Sequence, residues 1–369
     1  MKKILLSGLV VLIFFYSSIA QMDLPPSGGN PRATISEEVG ITSITIKYSR
    51  PDVSGREGKI YGEAATFPVS YGFNTVNLNT NKNTQPWRAG ANENTIITFE
   101  HDVKVEGKDI KAGTYGLYMA VYADRATIIF SKQADTWGSF FYEEKNDVLR
   151  VDVKPVALDK SVEYLKYEFI EHKEKYCVIA MQWEKLSIPF RVDVDVDNIV
   201  LARMRDQVAG QRGFNPFLLA SAANYFINKN INLDEALGWA QRAALTKSFF
   251  TLSTLGAAYT KLNRLKEADS TMNEALVFAV PVQFQAYGRS LVTAKRLDRW
   301  MEVLNATQKK SGDVFMVNAG YMSYYSAKGD FKKALDYANK ALAQAPNDAA
   351  KTAMDGNIAK LKEGKDINQ

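Results

Sequence analysis

The chain has 369 residues, 46% of them hydrophobic, with 46 lysines and arginines, 41 acids, two histidines and one cysteine. That apolar content can bury two ordinary cores at roughly 100–200 residues per domain, so a disordered or low-complexity chain is excluded. A net charge of +5 is too small to argue for a nucleic-acid partner, one thiol cannot form an internal disulfide, and two histidines leave no multi-histidine metal site.

The N-terminus reads Met1-Lys2-Lys3, an apolar run from Ile4 to Tyr16, then Ser17-Ser18-Ile19-Ala20 before Gln21. This charged, apolar, small-residue order predicts a secretory signal over residues 1–20, cleaved after Ala20. The run is too short for the ~20 residues that span a bilayer, so no transmembrane segment is expected after cleavage. The only cysteine is Cys177, so the product is not a lipoprotein, and it is expected in the periplasm or outside the cell. Cys177 alternates in phase with Ile179, Met181 and Trp183, which predicts a buried structural thiol.

A β-domain is read over 24–197, and from Arg32 to Asp197 its dominant period is two. Ile44, Ile46 and Tyr48 alternate with polar partners; Tyr115, Leu117, Met119 and Val121 alternate with Gly116, Tyr118, Ala120 and Tyr122. Further strands are expected at 149–153, at 165–169 and from Ile188 to Val196, with turns at Glu106–Asp109 and Ala123–Arg125. Short one-sided strands without intervening helices predict an antiparallel β-sandwich or jelly-roll-like domain. Asparagines 74, 77, 79, 81 and 83 mark residues 74–85 as a long polar loop.

After a linker at 198–214 the period becomes helical, giving a β + α two-domain chain. Residues 21–200 carry 21 cationic and 26 acidic residues, and 201–369 carry 23 and 15; opposite signs suit docking between the halves or an acidic partner, while scattered solvating charge is the plainer reading and the one preferred. In the second half, Leu255-Gly256-Ala257-Ala258-Tyr259, Leu265 to Ala268 and Glu274 to Leu276 place small residues where paired helices approach closely. The same spacing recurs at Tyr321, Tyr325, Gly329 to Phe331, Ala334, Ala338, Ala341 and Pro346. These residues resemble the tetratricopeptide repeat (TPR): Ala268 and Ala334 are 66 residues apart, two periods of 33. Four repeats are read over 215–346, the third degenerate because Met301 replaces alanine, followed by a capping helix at 347–363 and a tail at 364–369. Tyr225, Tyr259, Tyr287 and Tyr325 are candidates for a groove that binds a protein or peptide partner, or else packing residues between helices.

Catalytic signatures are sparse. Gly55-Arg56-Glu57-Gly58-Lys59 fails as a phosphate loop, because Val53 stands for the first glycine and Ile60 for the magnesium-binding hydroxyl. No Gly-x-Ser-x-Gly elbow exists. His101 lies between Glu100 and Asp102 in an expected charged turn, and Asp193, Asp195 and Asp197 read as one strand face, solvated or calcium-binding. No cofactor or metal is expected.

The densest cluster is Trp87, Arg88, Asn92 and Glu93, around two conformationally free small residues. It can line a pocket, with the ring stacking and Arg88 holding an anionic group, or form a turn with Trp87 in the core and an Arg88–Glu93 ion pair. As an enzyme, most plausibly an envelope hydrolase, it would use Glu93 as acid or base and need a second carboxylate about 5–10 Å away; as a glycan module it would use Trp87 and nearby tyrosines. Together with Asn30 to Ala33, Tyr48-Ser49-Arg50-Pro51, Gly55-Arg56, Ala112 to Leu117, Trp137-Gly138 and Asp147 to Val151, this cluster resembles the bacterial envelope family called domain of unknown function 2911. The resemblance implies an exported β-domain with no assigned activity and little more; Arg50 and Arg56 stand with Trp87, Arg88, Asn92 and Glu93 as candidate ligand residues. This chain inserts the asparagine-rich stretch before the Trp-Arg block, which would partly cover a pocket there. The reading favoured is a non-catalytic envelope scaffold.

Overall fold

The computed structural model describes residues 29–63 and 67–368; the expected signal peptide lies outside them. The chain divides into two compact units, one through Leu201 and one from Ala202.

The first unit contains β1 (Arg32–Val39), β2 (Thr42–Ser49), β3 (Tyr61–Gly62), β4 (Val69–Ser70), β5 (Thr75–Asn77), β6 (Lys82–Gln85), β7 (Thr95–Phe99), β8 (Val103–Val105), β9 (Lys108–Ile110), β10 (Gly113–Val121), β11 (Ala126–Ser131), β12 (Asp147–Val153), β13 (Val156–Lys173) and β14 (Tyr176–Val194). Six strands form one antiparallel sheet in the order β1-β2-β7-β10-β11-β12, and β13-β14-β8-β9 form a second. A parallel β3-β4 pair and a β5-β6 hairpin complete the unit. Both sheets are open rather than closed into a barrel. Aromatic rings of one meet rings of the other: Tyr48 and Tyr167 at 4.8 Å between centroids, Phe130 and Phe190 at 6.3 Å. The buried alternate residues, Ile44, Ile46, Ile97, Leu117 and Ile179 among them, each contribute about 1.5–3 kcal/mol by leaving water.

The expected one-sided alternation fails in β10. Tyr118 and Ala120, assigned to a wet face, are fully buried, because an irregular segment covers that side of the sheet. Tyr118 and Ile129 pack with Tyr142 and Phe73, and polarity is absorbed by hydrogen bonds: Asn94 Nδ2 donates to the Tyr118 hydroxyl at 2.6 Å, and Tyr142 donates to Asp147 Oδ2 at 2.6 Å. A buried polar group is tolerated only with such partners. Two further expectations are corrected. The asparagine-rich stretch is not a structureless loop but contains β5 and β6, and its Leu78 amide donates to the Phe140 carbonyl at 3.1 Å. The aspartates are not one strand face: β14 ends at Val194 and Asp197 lies in a helix, Asp193 bonds Arg191, Asp195 accepts from Asn198 and Asp197 pairs with Lys175. Cys177 is fully buried, and burial first, then Glu37 and Asp193, pushes its thiol up to about 12.

Where a linker was expected, the chain forms α1 (Val196–Ala209) and a short 3-10 turn. Beyond it come α2 (Pro216–Lys229), α3 (Leu233–Ala244), α4 (Phe249–Lys261), α5 (Leu265–Ala275), α6 (Pro281–Thr293), α7 (Leu297–Ser311), α8 (Phe315–Ala327), α9 (Phe331–Ala343) and α10 (Asp348–Lys362). The first helices of successive pairs start at 216, 249, 281 and 315, a period near 33. Caps set these starts: Asn215 accepts from Phe217 and Leu218 amides ahead of Pro216, Ser248 forms a capping box with Thr251, and Asp330 and Asn347 cap α9 and α10. Small residues let the pairs close: Ala236, Ala268 and Ala334 are buried at one repeat position. In the third pair the bulk is carried by Trp300, which fills the space left by Gly288 and Gly320.

Candidate functional site

Residues 85–95 are held to the first unit by backbone pairing and by side chains. Trp87 exchanges two main-chain hydrogen bonds with Met119, at 2.9 and 2.8 Å. Its indole is buried and stacks on Trp183, centroids 6.0 Å apart and planes 17° apart. Trp87 is therefore a core residue and does not offer a face to a ligand. Ala89 sits in the left-handed region at φ 53°, a strain of about 1–3 kcal/mol that persists only when surroundings over-determine it. Its carbonyl accepts from Thr95 Oγ1 at 3.0 Å and from the buried Tyr167 hydroxyl at 2.8 Å. At Gly90 a Cβ would lie 2.6 Å from Thr95 Oγ1, so only glycine fits.

The candidate charges are dispersed. The Arg88 guanidinium lies over the Phe140 ring at 5.7 Å, burial lowers its pKa, and its Nε has no hydrogen-bond partner. It does not pair with Glu93. Glu93 is instead paired with Arg32, with Ser49 Oγ at 3.5 Å. Burial pushes the Glu93 pKa up, but its own backbone amide and the Arg32 guanidinium outweigh this and hold it below the ordinary glutamate value. A carboxylate held ionised is an acceptor and ion-pair partner, not a proton donor. Asn92, at φ 57°, accepts from Asn30 Nδ2 at 3.3 Å. Arg50 donates from Nε to the Leu165 carbonyl at 2.9 Å, and Arg56 donates to the Val53 and Asp52 carbonyls at 2.9 and 2.6 Å. Both clip main chain and do not meet Glu93. His101 bonds Thr42 Oγ1 at 3.2 Å.

Glu93 does border an open cleft of about 500 Å³, together with Arg32, Lys47, Asp135, Thr136 and Trp137. Of these only Glu93 was a candidate from sequence. The others carry no period or spacing signal: Trp137 lies in an irregular loop and Lys47 on the polar side of a strand. Among the described residues no group of three His, Cys, Asp or Glu side chains gathers as a metal site.

In the second unit a depression of about 330 Å³ is lined mainly by three successive first helices, with Ile227 and Asn228 from α2, Ser253, Ala257 and Lys261 from α4 and Tyr287 from α6, and also by Met272 of α5. The four candidate tyrosines divide. Tyr225 borders a neighbouring depression with Met204 and Arg212, and Tyr287 borders the first while packing against Phe284, Trp300 and their neighbours. Tyr325 stacks on Tyr337 at 5.5 Å and packs between two clusters. Tyr259 accepts from Gln241 Nε2 at 3.4 Å and lies under the Arg264 guanidinium. All four are half-buried, and Tyr325 above all is a packing residue. No helix among the described residues is long and apolar enough to cross a membrane.

Residues 30–192 match the family described as "Protein of unknown function (DUF2911)", a span that covers the first unit's two sheets. No curated protein matches the chain. Solved structures that match the helical region include TPR proteins. One is the APC/C hetero-tetramer Cut9–Hcn1, 12% identical with TM-score 0.29, where the match covers 45% of this chain and 33% of that one. Another is YrrB, described as a TPR protein with an unusual peptide-binding site, 16% identical with TM-score 0.26 over 45% of this chain and 86% of that one.

Proposed function

We propose that this protein is an exported scaffold of the bacterial envelope, in which a sandwich-like β-unit is joined to tandem helical hairpins that hold an extended protein or peptide segment. The observation that carries this reading is the depression built by α2, α4 and α6 together. A surface made from the same face of consecutive repeats is continuous, which suits a chain laid along it rather than a compact ligand. Its lining mixes apolar Ile227, Met272 and Tyr287 with the hydrogen-bonding Asn228, Ser253 and Gln283, the combination that grips both main chain and side chains of a peptide. Export is supported by the order of residues 1–20 in the sequence.

The test is capture of partners by the mature chain, residues 21–369, from envelope extract, beside the variant Ala257→Arg, which fills the depression from α4. Partners retained by the parent and lost by a variant of unchanged melting temperature support the reading; identical capture by both contradicts it.

A further inference from the structure

We infer that the cleft bordered by Glu93 and Trp137 in the β-unit is a binding site for a neutral saccharide. The site is built on the outward face of three paired strands. The register sets Thr34 opposite Lys47 and Lys47 opposite Ile96 in one cross-strand row, and Arg32 opposite Ser49 in the next. These rows form a floor of hydrogen-bonding groups with an apolar patch at Ile96. The wall is the segment from Ala134 to Trp137.

That wall is fixed rather than loose. The Asn94 amide donates to the Thr136 carbonyl at 3.2 Å, Asn94 Nδ2 donates to the Gln133 carbonyl at 2.9 Å and to the Tyr118 hydroxyl at 2.6 Å, and Thr136 Oγ1 lies 3.2 Å from that hydroxyl. At Gly116 a Cβ would stand 2.1 Å from the Gln133 carbonyl oxygen, so the wall rests directly on β10. Binding to a preformed site avoids the ordering cost that a mobile loop would carry.

Three features select the ligand class. Trp137 exposes 51% of its surface, although burying an indole is strongly favourable; a flat aromatic ring left in water beside a cleft is a stacking surface for the C–H face of a pyranose ring. The floor and wall offer donors from Arg32 and Lys47 and acceptors from Glu93 and Asp135, matching hydroxyl groups that donate and accept at once. These two cations and two anions leave the cleft without net charge, which disfavours phosphate, uronate or polycationic ligands. Arg32 and Glu93 already satisfy each other, while Lys47 and Asp135 have no ion-pair partner among the described residues. A volume of about 500 Å³ lies within the ordinary range for small-ligand sites, about 300–1,000 Å³. The site is separate from the helical groove, and neither reading depends on the other.

The experiment titrates the mature chain by calorimetry with maltotriose, cellotriose and N,N′-diacetylchitobiose, with digalacturonate and a chitosan dimer as charged controls and a lysine-rich peptide as a third class. At least one neutral sugar binds, and Trp137→Ala weakens it about tenfold or more, the scale of one aromatic contact with its buried area. Trp137→Phe retains most of the affinity, and the melting temperature of both variants stays that of the parent because the side chain is exposed. The inference is overturned if no neutral sugar binds, if only the charged sugars or the peptide bind, or if Trp137→Ala binds a neutral sugar as tightly as the parent.

Discussion

The indoles of Trp87 and Trp183 stack at 6.0 Å, joining the segment that runs from Gln85 to Thr95 to the long strand β14. This contact turns a cluster that reads as a pocket into part of the core. Trp87→Ala is therefore expected to cost about 3–5 kcal/mol, the range for deleting a buried large aromatic. Chemical denaturation of the parent and the variant measures it, and a loss below about 1 kcal/mol would place the ring outside the core.

Arg32 and Glu93, 61 residues apart, form the ion pair at the cleft. Because the folded-state pKa of Glu93 is depressed, its contribution is present above the unfolded glutamate value and is lost as pH falls through the lower folded value. Arg32 is 61% exposed, so solvent screening holds the pair to about 0.2–1 kcal/mol. The stability difference between parent and Glu93→Gln is thus expected to be small, constant from pH 7 to pH 5 and vanishing in stronger acid. A difference that grows as the pH is lowered would contradict the pairing.

Gly288 on α6 and Gly320 on α8 both face α7, which carries Trp300 and Leu304. A Cβ at Gly288 would stand 2.3 Å from the Trp300 ring, and one at Gly320 would stand 2.4 Å from Leu304. Alanine gains about 1 kcal/mol in helix propensity over glycine, yet overpacking a filled core costs about 1–3 kcal/mol or more. Gly288→Ala is expected to lower the melting temperature of the helical unit, and Gly238→Ala, where nothing lies within 4 Å, to leave it unchanged or raise it.

How much of this was legible in the sequence follows from the range of the interactions. The helical period of the second half was legible because Ala236, Ala268 and Ala334 report close helix approach at a fixed spacing, a local signal. Most strands were legible from alternation. Tyr118 was misread because periodicity assumes one wet face, and nothing local announces that residues 133–142 fold over β10. The cleft was illegible for the same reason: Arg32, Lys47, Glu93 and Trp137 meet through strand register and one loop. The 198–214 stretch was read as a linker because α1 lacks a clear apolar stripe.

The C-terminal segment, read from sequence only as a tail after the capping helix, is pinned to α8. Ser326 Oγ donates to Asp366 Oδ1 at 2.8 Å, Ser323 Oγ donates to Asn368 Oδ1 at 2.6 Å, and Ile367 packs against the last cluster. Both serines are buried, and an unpartnered buried hydroxyl costs about 1–3 kcal/mol. Ending the chain after Lys365 should raise hydrogen exchange in α8 and α10 and leave α2 to α5 unaffected. Uniform exchange across the helical unit would show that the tail contributes nothing local.

The central claim is that consecutive first helices present one surface to an extended partner. Site-specific photo-crosslinking in cells, with the reactive residue at Ser253 or at Lys266 on the second helix of the same hairpin, tests it most directly. The account predicts discrete adducts at Ser253 that disappear with Ala257→Arg and are missing at Lys266. Equal labelling at both positions, or none at Ser253, would contradict it.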